Sequence, residues 1–171
     1  MKTVDLGLPS GTLWTSCNVG AKSVEDYGKY FTFEEASKLS NKEYSVPTIE
    51  QIKELMRYCI HEYINVNGTN GILITGSNGN NIFFPAAGCR GSSSGVLRSV
   101  GSDGYCWSAT PDSVNSGYGL YFNSSDWCWF NYFRTCGLSV RLVKNSKSDL
   151  IFEKAKLLHD IIEDIFPQLK K

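Results

Sequence analysis

No charge of either sign dominates this chain. Across its 171 residues, Lys and Arg number 17, Asp and Glu number 17, and the charged fraction is only 20%. A balanced chain of this kind lacks the basic footprint that nucleic acid or an anionic membrane surface attracts. No apolar run approaches the roughly 18 residues that a membrane-spanning helix needs. Met1–Trp14 carries one Lys and no apolar stretch, so it does not read as a secretory signal. No C-x-x-C pair occurs, and only His61 and His159 could join cysteine as metal ligands, which argues against zinc. Oxygen donors such as Asn115, Asn123, Asp126 and Asn131 are scattered rather than clustered, so calcium is not expected either. The reading calls for no cofactor and no metal.

What is present is apolar and aromatic. Hydrophobic residues make up 42% of the chain and aromatics 13%, enough for one domain with a core that needs no covalent staple. Six cysteines, at 17, 59, 89, 106, 128 and 136, are widely spaced. A disulfide framework would allow about 15 pairings, but without a secretory signal, free thiols are the simpler expectation, with Cys17 and Cys59 as small buried hydrophobes.

Along the chain, Leu8–Gly11 reads as a turn and Thr12–Trp14 as a short strand, while Tyr27–Phe33 is an aromatic stretch suited to the core. Thr48 and Gln51 form a capping box ahead of Ile49, Ile52, Leu55, Met56 and Cys59. That spacing predicts a helix ending between Tyr58 and Glu62, with His61 at its terminus. Residues 71–75 and 81–85 flank an Asn-Gly turn and predict a hairpin. The Gly- and Ser-rich residues 86–104 read as a long loop anchored by Leu97 and Val100. Strands are expected at 106–108, 119–123 and 138–143, with a strand or loop over 127–133. Ser146 and Asp149 then cap an apolar helix over 148–166, stopped by Pro167. It either covers its own domain, forms a homo-oligomer or docks on a partner.

No nucleophile–base pair stands out. Glu34-Glu35 and the carboxylates Glu153, Asp160, Glu163 and Asp164 fit solvated faces better than acid–base chemistry, and His159 fits a solvated or interface position. The Gly76–Gly79 stretch lacks both the phosphate-loop Lys and a following helix, so it is a turn. The segment Gly104–Lys144 is different in kind. It holds three of the four Trp residues and the run Trp127, Trp129, Phe130 and Tyr132, with Asn, Ser, Gly and Asp between them. Rigid aromatics among small adaptable polar residues are the composition of a recognition surface. Strand alternation would put Trp127, Trp129, Asn131 and Phe133 on one face, and Cys128, Phe130 and Tyr132 on the other. Both faces are apolar; one suits a core and the other a partner. Trp107, among small residues, suits the core.

A series of short motifs carries a resemblance: Val4–Trp14, Cys17–Ala21, Asp26–Gly28, Val46–Thr48, Phe84–Gly88, Trp107–Thr110 and Ser139–Arg141. In this order, over residues 3–143, the chain resembles the Fibrobacter succinogenes major paralogous domain family, found in gut Bacteroides-type bacteria and their phages. The resemblance implies an α+β, C-type-lectin-like fold, related to the formylglycine-generating-enzyme fold, over residues 3–144, followed by an added C-terminal helix within 146–171. The enzyme's cysteine pair has no placeable counterpart here, so the resemblance implies binding rather than catalysis.

A narrower resemblance is to the variable proteins of diversity-generating retroelements, in which error-prone copying at adenines rewrites the ligand-binding segment, here 104–143. Tyr codons of the form TAC would give Cys106, Cys128, Phe130, Phe133 and Cys136. Asn codons of the form AAC suit Asp112, Ser116, Gly117, Gly119, Asp126 and Thr135. Trp arises from neither codon by adenine change alone, so Trp107, Trp127 and Trp129 are constant or arise from another codon. The implied contact residues are Cys106, Asp112, Ser116, Gly117, Gly119, Tyr121, Asp126, Cys128, Phe130, Asn131, Tyr132, Phe133, Thr135 and Cys136. The implied partner is a cell-surface or host macromolecule, protein or glycan, met from a phage particle or a bacterial surface. A non-diversified envelope module binding carbohydrate or protein is the alternative, and an enzyme of the related fold a third.

Overall fold

The computed structural model describes residues 1–144 together with Leu158, Ile161 and Ile162. Those last three residues are helical and exposed; the rest of the helix expected within 146–171, His159 and its neighbouring carboxylates included, lies outside the described residues.

Strand β1 (Thr3–Asp5) pairs with β2 (Leu13–Thr15), α1 covers Phe33–Ser37, β3 covers Tyr44–Ser45 and α2 covers Ile49–Tyr58. Three longer strands follow, β4 (Ile60–Val66), β5 (Thr69–Thr75) and β6 (Asn81–Pro85), then the short pair β7 (Cys89–Arg90) and β8 (Leu97–Arg98). The chain continues through β9 (Gly104–Pro111), β10 (Ser116–Phe122), β11 (Trp127–Phe133) and β12 (Val143–Lys144). Four antiparallel sheets result, ordered β1-β2-β12-β3, β4-β5-β6, β11-β10-β9 and β7-β8.

This architecture corrects the expected fold class. The described chain is mostly β, built of several small antiparallel sheets with two helices of 5 and 10 residues in residues 1–144, and is not the expected α+β, C-type-lectin-like fold. The physical reason lies in segment length. Gly, Asn and Asp interrupt nearly every apolar run after six or seven residues, long enough for a strand and too short for a helix. Among the described residues only 49–58 sustain a helical apolar face. No helix among them is long and apolar enough to cross a membrane.

Helix α2 forms as its sequence dictates. The Thr48 side chain accepts from the Gln51 amide while Gln51 returns to the Thr48 amide, satisfying two donors that a helix start leaves unpaired. Ile49, Ile52 and Leu55 are buried on one face, and the helix stops at Cys59, which is extended (φ −113°, ψ 150°). The stop is sharper than the sequence suggests, because strand β4 begins at Ile60. His61 therefore sits on a strand, stacked on Trp127 at 4.4 Å, and does not cap the helix. Strand β4 turns into β5 through Asn67 and Gly68, both at positive φ (49° and 88°), the backbone that a two-residue hairpin of matching twist requires. The Asn-Gly signal was present in the sequence.

Two apolar clusters stand under this framework. One joins Trp14 and α2 to Ile72, Ile74, Phe84, Leu120 and Phe122, with Trp14 meeting Phe84 edge-on at 6.1 Å. The other gathers Phe33, Tyr44, Cys89, Trp107, Leu138, Val140 and Leu142. Trp107 is fully buried, and its indole Nε1 donates to the Phe31 carbonyl at 2.7 Å. Each buried Leu, Ile or Phe contributes on the order of 1.5–3 kcal/mol against chain entropy.

The seam between the clusters is closed by Arg141. Its guanidinium is fully buried and donates from Nε to Asn18 Oδ1 (3.0 Å), from Nη1 to the Thr15 carbonyl (3.0 Å) and from Nη2 to the Phe83 carbonyl (2.8 Å). It also lies over the Phe84 ring at 4.2 Å. Burial pulls its pKa down to about 10, which still leaves it charged at neutral pH. One side chain thereby ties the N-terminal sheet, β6 and the closing segment together. Residues 138–142 run mostly outside the sheets, held by single bridges from Leu138 to Phe31 and from Ser139 to Cys106, rather than as the expected strand. Leu97 and Val100, expected as apolar anchors of the 86–104 loop, are exposed, and the loop is held instead by β7-β8 pairing. All six cysteines are free thiols.

Candidate functional site

The β11-β10-β9 sheet has two unlike faces. Register sets them: Tyr121 lies opposite both Tyr105 and Cys128, Gly119 opposite Phe130, and Gly117 opposite Tyr132. Directly opposed residues point the same way, so Tyr105, Tyr121, Cys128, Phe130 and Tyr132 share the outer face. The inner face carries Cys106, Leu120 and Phe122 into the core beside α2. Toward the free edge that inner face continues as Trp127, packed on His61, and Trp129, which meets Tyr118 at 5.7 Å and Lys53 Nζ at 5.2 Å. The expectation of one core face and one open face does not hold for the sheet: Trp107, opposite Gly119 on the outer face, is fully buried in the second cluster, Tyr105 and Tyr132 pack against that cluster, and Phe33 covers Gly117, so the outer face opens only toward β11, the edge strand, where both faces reach solvent.

On the outer face four rings close a circuit. Tyr105 meets Tyr121 at 5.1 Å, Tyr121 meets Phe130 at 6.2 Å, Phe130 meets Tyr132 at 5.9 Å, and Tyr132 returns to Tyr105 at 5.4 Å. Neighbouring planes are tilted by 48–53°. Tilted contacts at these spacings suit the ring quadrupoles, and they leave Tyr105, Tyr121 and Tyr132 half-buried. Phe130 remains 43% exposed. Tyr105 was missing from the sequence-derived contact list, although the alternation of Gly104–Trp107 placed it on the strand face opposite Cys106.

The phenols in this circuit are held protonated. Burial, followed by the nearby Asp103 carboxylate, raises the pKa of both Tyr105 and Tyr121. A hydrogen bond with the Cys89 thiol (3.5 Å), then burial, pushes Tyr132 up to about 12. At neutral pH each therefore presents an O–H that can donate or accept. Asn123 Nδ2 donates to the Tyr121 hydroxyl at 2.7 Å, which ties the 123–126 turn, with exposed Asp126, to the edge of the circuit.

A second group of candidates gathers at the far end of the inner face. The Asp112 carboxylate accepts from Ser116 Oγ (2.7 Å) and Asn131 Nδ2 (2.8 Å). Hydrogen bonds from Ser116, Tyr118 and Asn131 hold its pKa below the usual carboxylate range. Phe133, 68% exposed, lies beside this cluster opposite Ser116, and Thr135 is exposed just beyond.

The remaining candidates do not reach the surface. Cys106 is 2% exposed, and its burial raises the thiol to about 11, the behaviour of a packed core residue. Cys136 is also buried. Gly117 and Gly119 are buried beneath the face: a Cβ at Gly117 would overlap the Phe33 ring, and one at Gly119 would stand 2.5 Å from the Cys106 carbonyl oxygen. Their role is to let strands and core approach, a constraint that codon reasoning does not see. Glu34 and Glu35, expected on a solvated face, are exposed and each has a partner: Glu35 completes the α1 capping box with Thr32, and Glu34 pairs with Arg134 at 3.3 Å. Among the described residues no three His, Cys, Asp or Glu side chains converge as metal ligands.

The model of a family described as a domain of unknown function (DUF8237) matches residues 61–143. The matched stretch contains nearly all of β4 and runs to the first residue of β12, so it takes in the aromatic face entire and omits the N-terminal strands and both helices. No curated protein and no solved structure matches the chain.

Proposed function

We propose that this chain is a non-enzymatic binding protein whose contact surface is the outer face of the β11-β10-β9 sheet. The observation that carries this reading is the half-open circuit of Tyr105, Tyr121, Phe130 and Tyr132, with phenol hydroxyls, Asn123 and Asp126 around it. Large rings with few rotatable bonds give contact area at low entropic cost, and the polar groups at their margin give direction. The segment between Gly104 and Val143 is the part that a retroelement would diversify, and its open positions, Asp112, Tyr121, Asp126, Cys128, Phe130, Asn131, Tyr132, Phe133 and Thr135, are the ones we assign to variation. The partner is a cell-surface or host macromolecule, and the setting a phage particle or a bacterial surface.

Two experiments test the reading. Sequencing of the native locus is expected to find a second copy of the 104–143 coding segment, differing only at adenines, near a reverse-transcriptase gene. An invariant segment with no such copy would leave a fixed-ligand module in place of a diversified one. Probing an immobilised glycan array and bacterial envelope preparations with the protein, alongside Tyr121→Ser and Phe130→Ser, is expected to show binding that both substitutions abolish. Equal binding by all three proteins overturns the assignment of the face.

A further inference from the structure

Strand β11 is a bare edge. Its register with β10 is unbroken over all seven residues, Trp127–Phe133. Hydrogen bonds from the Asn123 amide to the Asp126 carbonyl (2.9 Å) and from the Arg134 amide to the Asn115 carbonyl (2.9 Å) bracket this ladder. Antiparallel strands bond through every second residue, so Cys128, Phe130 and Tyr132 turn their amides and carbonyls to β10. Those of Trp127, Trp129 and Asn131, with the Phe133 amide, point the other way, and among the described residues they meet no partner. The Phe133 carbonyl accepts from the Cys136 amide at 3.0 Å, which ends the open row.

The opposite edge of the same sheet is covered. On β9 the Trp107 amide donates to the Ser139 carbonyl at 3.0 Å, and the Ala109 amide to the Pro47 carbonyl at 2.8 Å. On β11 the usual guards of an edge are missing. The strand holds no charged residue and no proline, and no bulge interrupts its pairing. Trp129, Phe130 and Phe133 are exposed along it. A regular, uncharged and open edge is a template for another strand.

The residues at its ends fit a second copy of the same strand. Turned antiparallel about Phe130, two β11 strands overlap over their full length, with Trp129 opposite Asn131, Cys128 opposite Tyr132 and Trp127 opposite Phe133. The outward amides and carbonyls then fall in the hydrogen-bonded pairs. One step beyond the strand, the same register sets Asp126 of each copy opposite Arg134 of the other. Asp126 is exposed, and its carboxylate makes no hydrogen bond or ion pair among the described residues. Arg134 donates from Nε to the Ser116 carbonyl (3.2 Å) and from Nη1 to Glu34 (3.3 Å), which leaves Nη2 for a further acceptor. Both residues continue the alternation of Phe130, so they stand on the same side of the sheet. Sliding the strands by two residues in either direction parts both ion pairs and shortens the overlap.

We infer that β11 pairs antiparallel with β11 of a second copy of this chain, joining two three-stranded sheets into one across a two-fold axis at Phe130. Each chain uses this edge once, so the assembly closes as a dimer, and the two aromatic circuits meet on one surface. The inference goes beyond the binding reading and does not depend on it. Sedimentation of the full chain from about 1 μM to about 1 mM, with amide hydrogen exchange at both ends of the series, tests it. A monomer–dimer equilibrium is expected. On dimerisation the Trp129 and Asn131 amides should slow at least about tenfold, while the Phe130 amide is protected in both states. Asp126→Arg sets Arg against Arg134 twice per dimer and is expected to weaken association at least about tenfold. Trp129→Pro removes an amide that bonds nothing in the monomer, and is expected to abolish association; where that variant does not fold, Asp126→Arg and the exchange rates decide. A chain that stays monomeric throughout, an assembly larger than a dimer, or association unchanged in Asp126→Arg overturns the inference. So does a dimer whose Trp129 and Asn131 amides still exchange freely, since other residues would then carry it. Association is measured on the protein alone, and Tyr121 lies on β10 away from the joined edge, so array binding by Tyr121→Ser and dimerisation can each fail while the other stands.

Discussion

Arg141 and Phe130 lie on the same chain eleven residues apart and obey opposite rules. Around Arg141 every nitrogen of a buried cation has its own acceptor, supplied by two separate stretches of chain, Thr15–Asn18 and Phe83. Phe130 itself touches the rings of Tyr121 and Tyr132 across open tilted contacts, and only its neighbours Tyr105 and Tyr132 reach past the sheet, to the second cluster and the Cys89 thiol. A buried polar network is unforgiving, since one missing partner strands the rest in a low-dielectric interior. An open aromatic layer is forgiving, since each ring removed leaves water a place to enter. The difference teaches where this fold tolerates change: its determinants sit at internal junctions and under the inner part of the outer sheet face, where Trp107 is buried, and the exposed β11 edge carries little of its stability.

The sharpest way to break that comparison is at the junction. Arg141→Ala leaves the Thr15 and Phe83 carbonyls and Asn18 Oδ1 without their donor, and the cost is expected to reach ~3–5 kcal/mol. Urea unfolding would show a large drop in midpoint; a loss below about 1 kcal/mol would mean that Arg141 does not lock the seam. Next in size is Gly119→Ala, where the new methyl group meets the Cys106 carbonyl at 2.5 Å and a cost of ~1–3 kcal/mol is expected by thermal unfolding. This substitution sits under the aromatic face, so a neutral result would extend the forgiving region inward.

The third prediction concerns pH. The folded-state pKa of Cys106 is raised from 9.0 to about 11 by burial. Between those values the folded chain keeps a proton that the unfolded chain has released, so this contribution is fully present below about pH 9 and is lost as pH climbs toward 11. Melting temperatures followed from pH 8 upward should fall less steeply in Cys106→Ala than in the parent, once both are referred to their own values at pH 8. Parallel curves would mean that the thiol is not held protonated by the core. The smallest effect belongs to the outer positions. Phe130→Ser and Phe133→Ser are expected to shift stability by no more than about 0.5 kcal/mol, while on the proposed function Phe130→Ser is expected to abolish binding. A large loss of stability from either would place the aromatic face inside the structural core and undo the contrast.

The sequence spoke clearly wherever a local signal was strong enough to act alone. The Thr48–Gln51 box and the spacing of Ile49, Ile52 and Leu55 located α2, and the Asn78-Gly79 turn located the β5-β6 hairpin. The expected strand 106–108 lies in the middle of β9, and 119–123 covers the second half of β10 and overruns its end at Phe122 by one residue. What stayed hidden was set by partners distant in the chain. Helix α1 spans only 5 residues and has no period to read, though its Thr32–Glu35 capping box was in view. Arg141 looks like a charged interruption of Val140 and Leu142 until Asn18, Thr15 and Phe83 arrive around it. Alternation divided β11 into its two faces correctly, but it could not show that each face meets a core cluster, through Trp127 on one side and Tyr132 on the other. The lectin-like architecture inferred from resemblance failed on a broader scale, because short motifs at turns and strand ends recur wherever small sheets are joined, whatever their arrangement.

The place of β12 has a consequence for how this chain is made. Val143 pairs with Trp14 on one side and Ser45 on the other, so the last strand of the described chain is an interior member of its first sheet. A nascent chain cannot finish that sheet until the whole of 104–142 has emerged and passed across the molecule. A stop codon or frameshift anywhere in that segment would leave β2 and β3 without the strand between them, and would remove the hydrogen bonds that join Thr15 to the closing segment, where Arg141 donates to the Thr15 carbonyl and the Leu142 carbonyl accepts from the Thr15 hydroxyl. The fold thus acts as a proofreader of its own reading frame: only chains read in frame through 104–142 can close the first sheet, and the rest are left open to proteolysis.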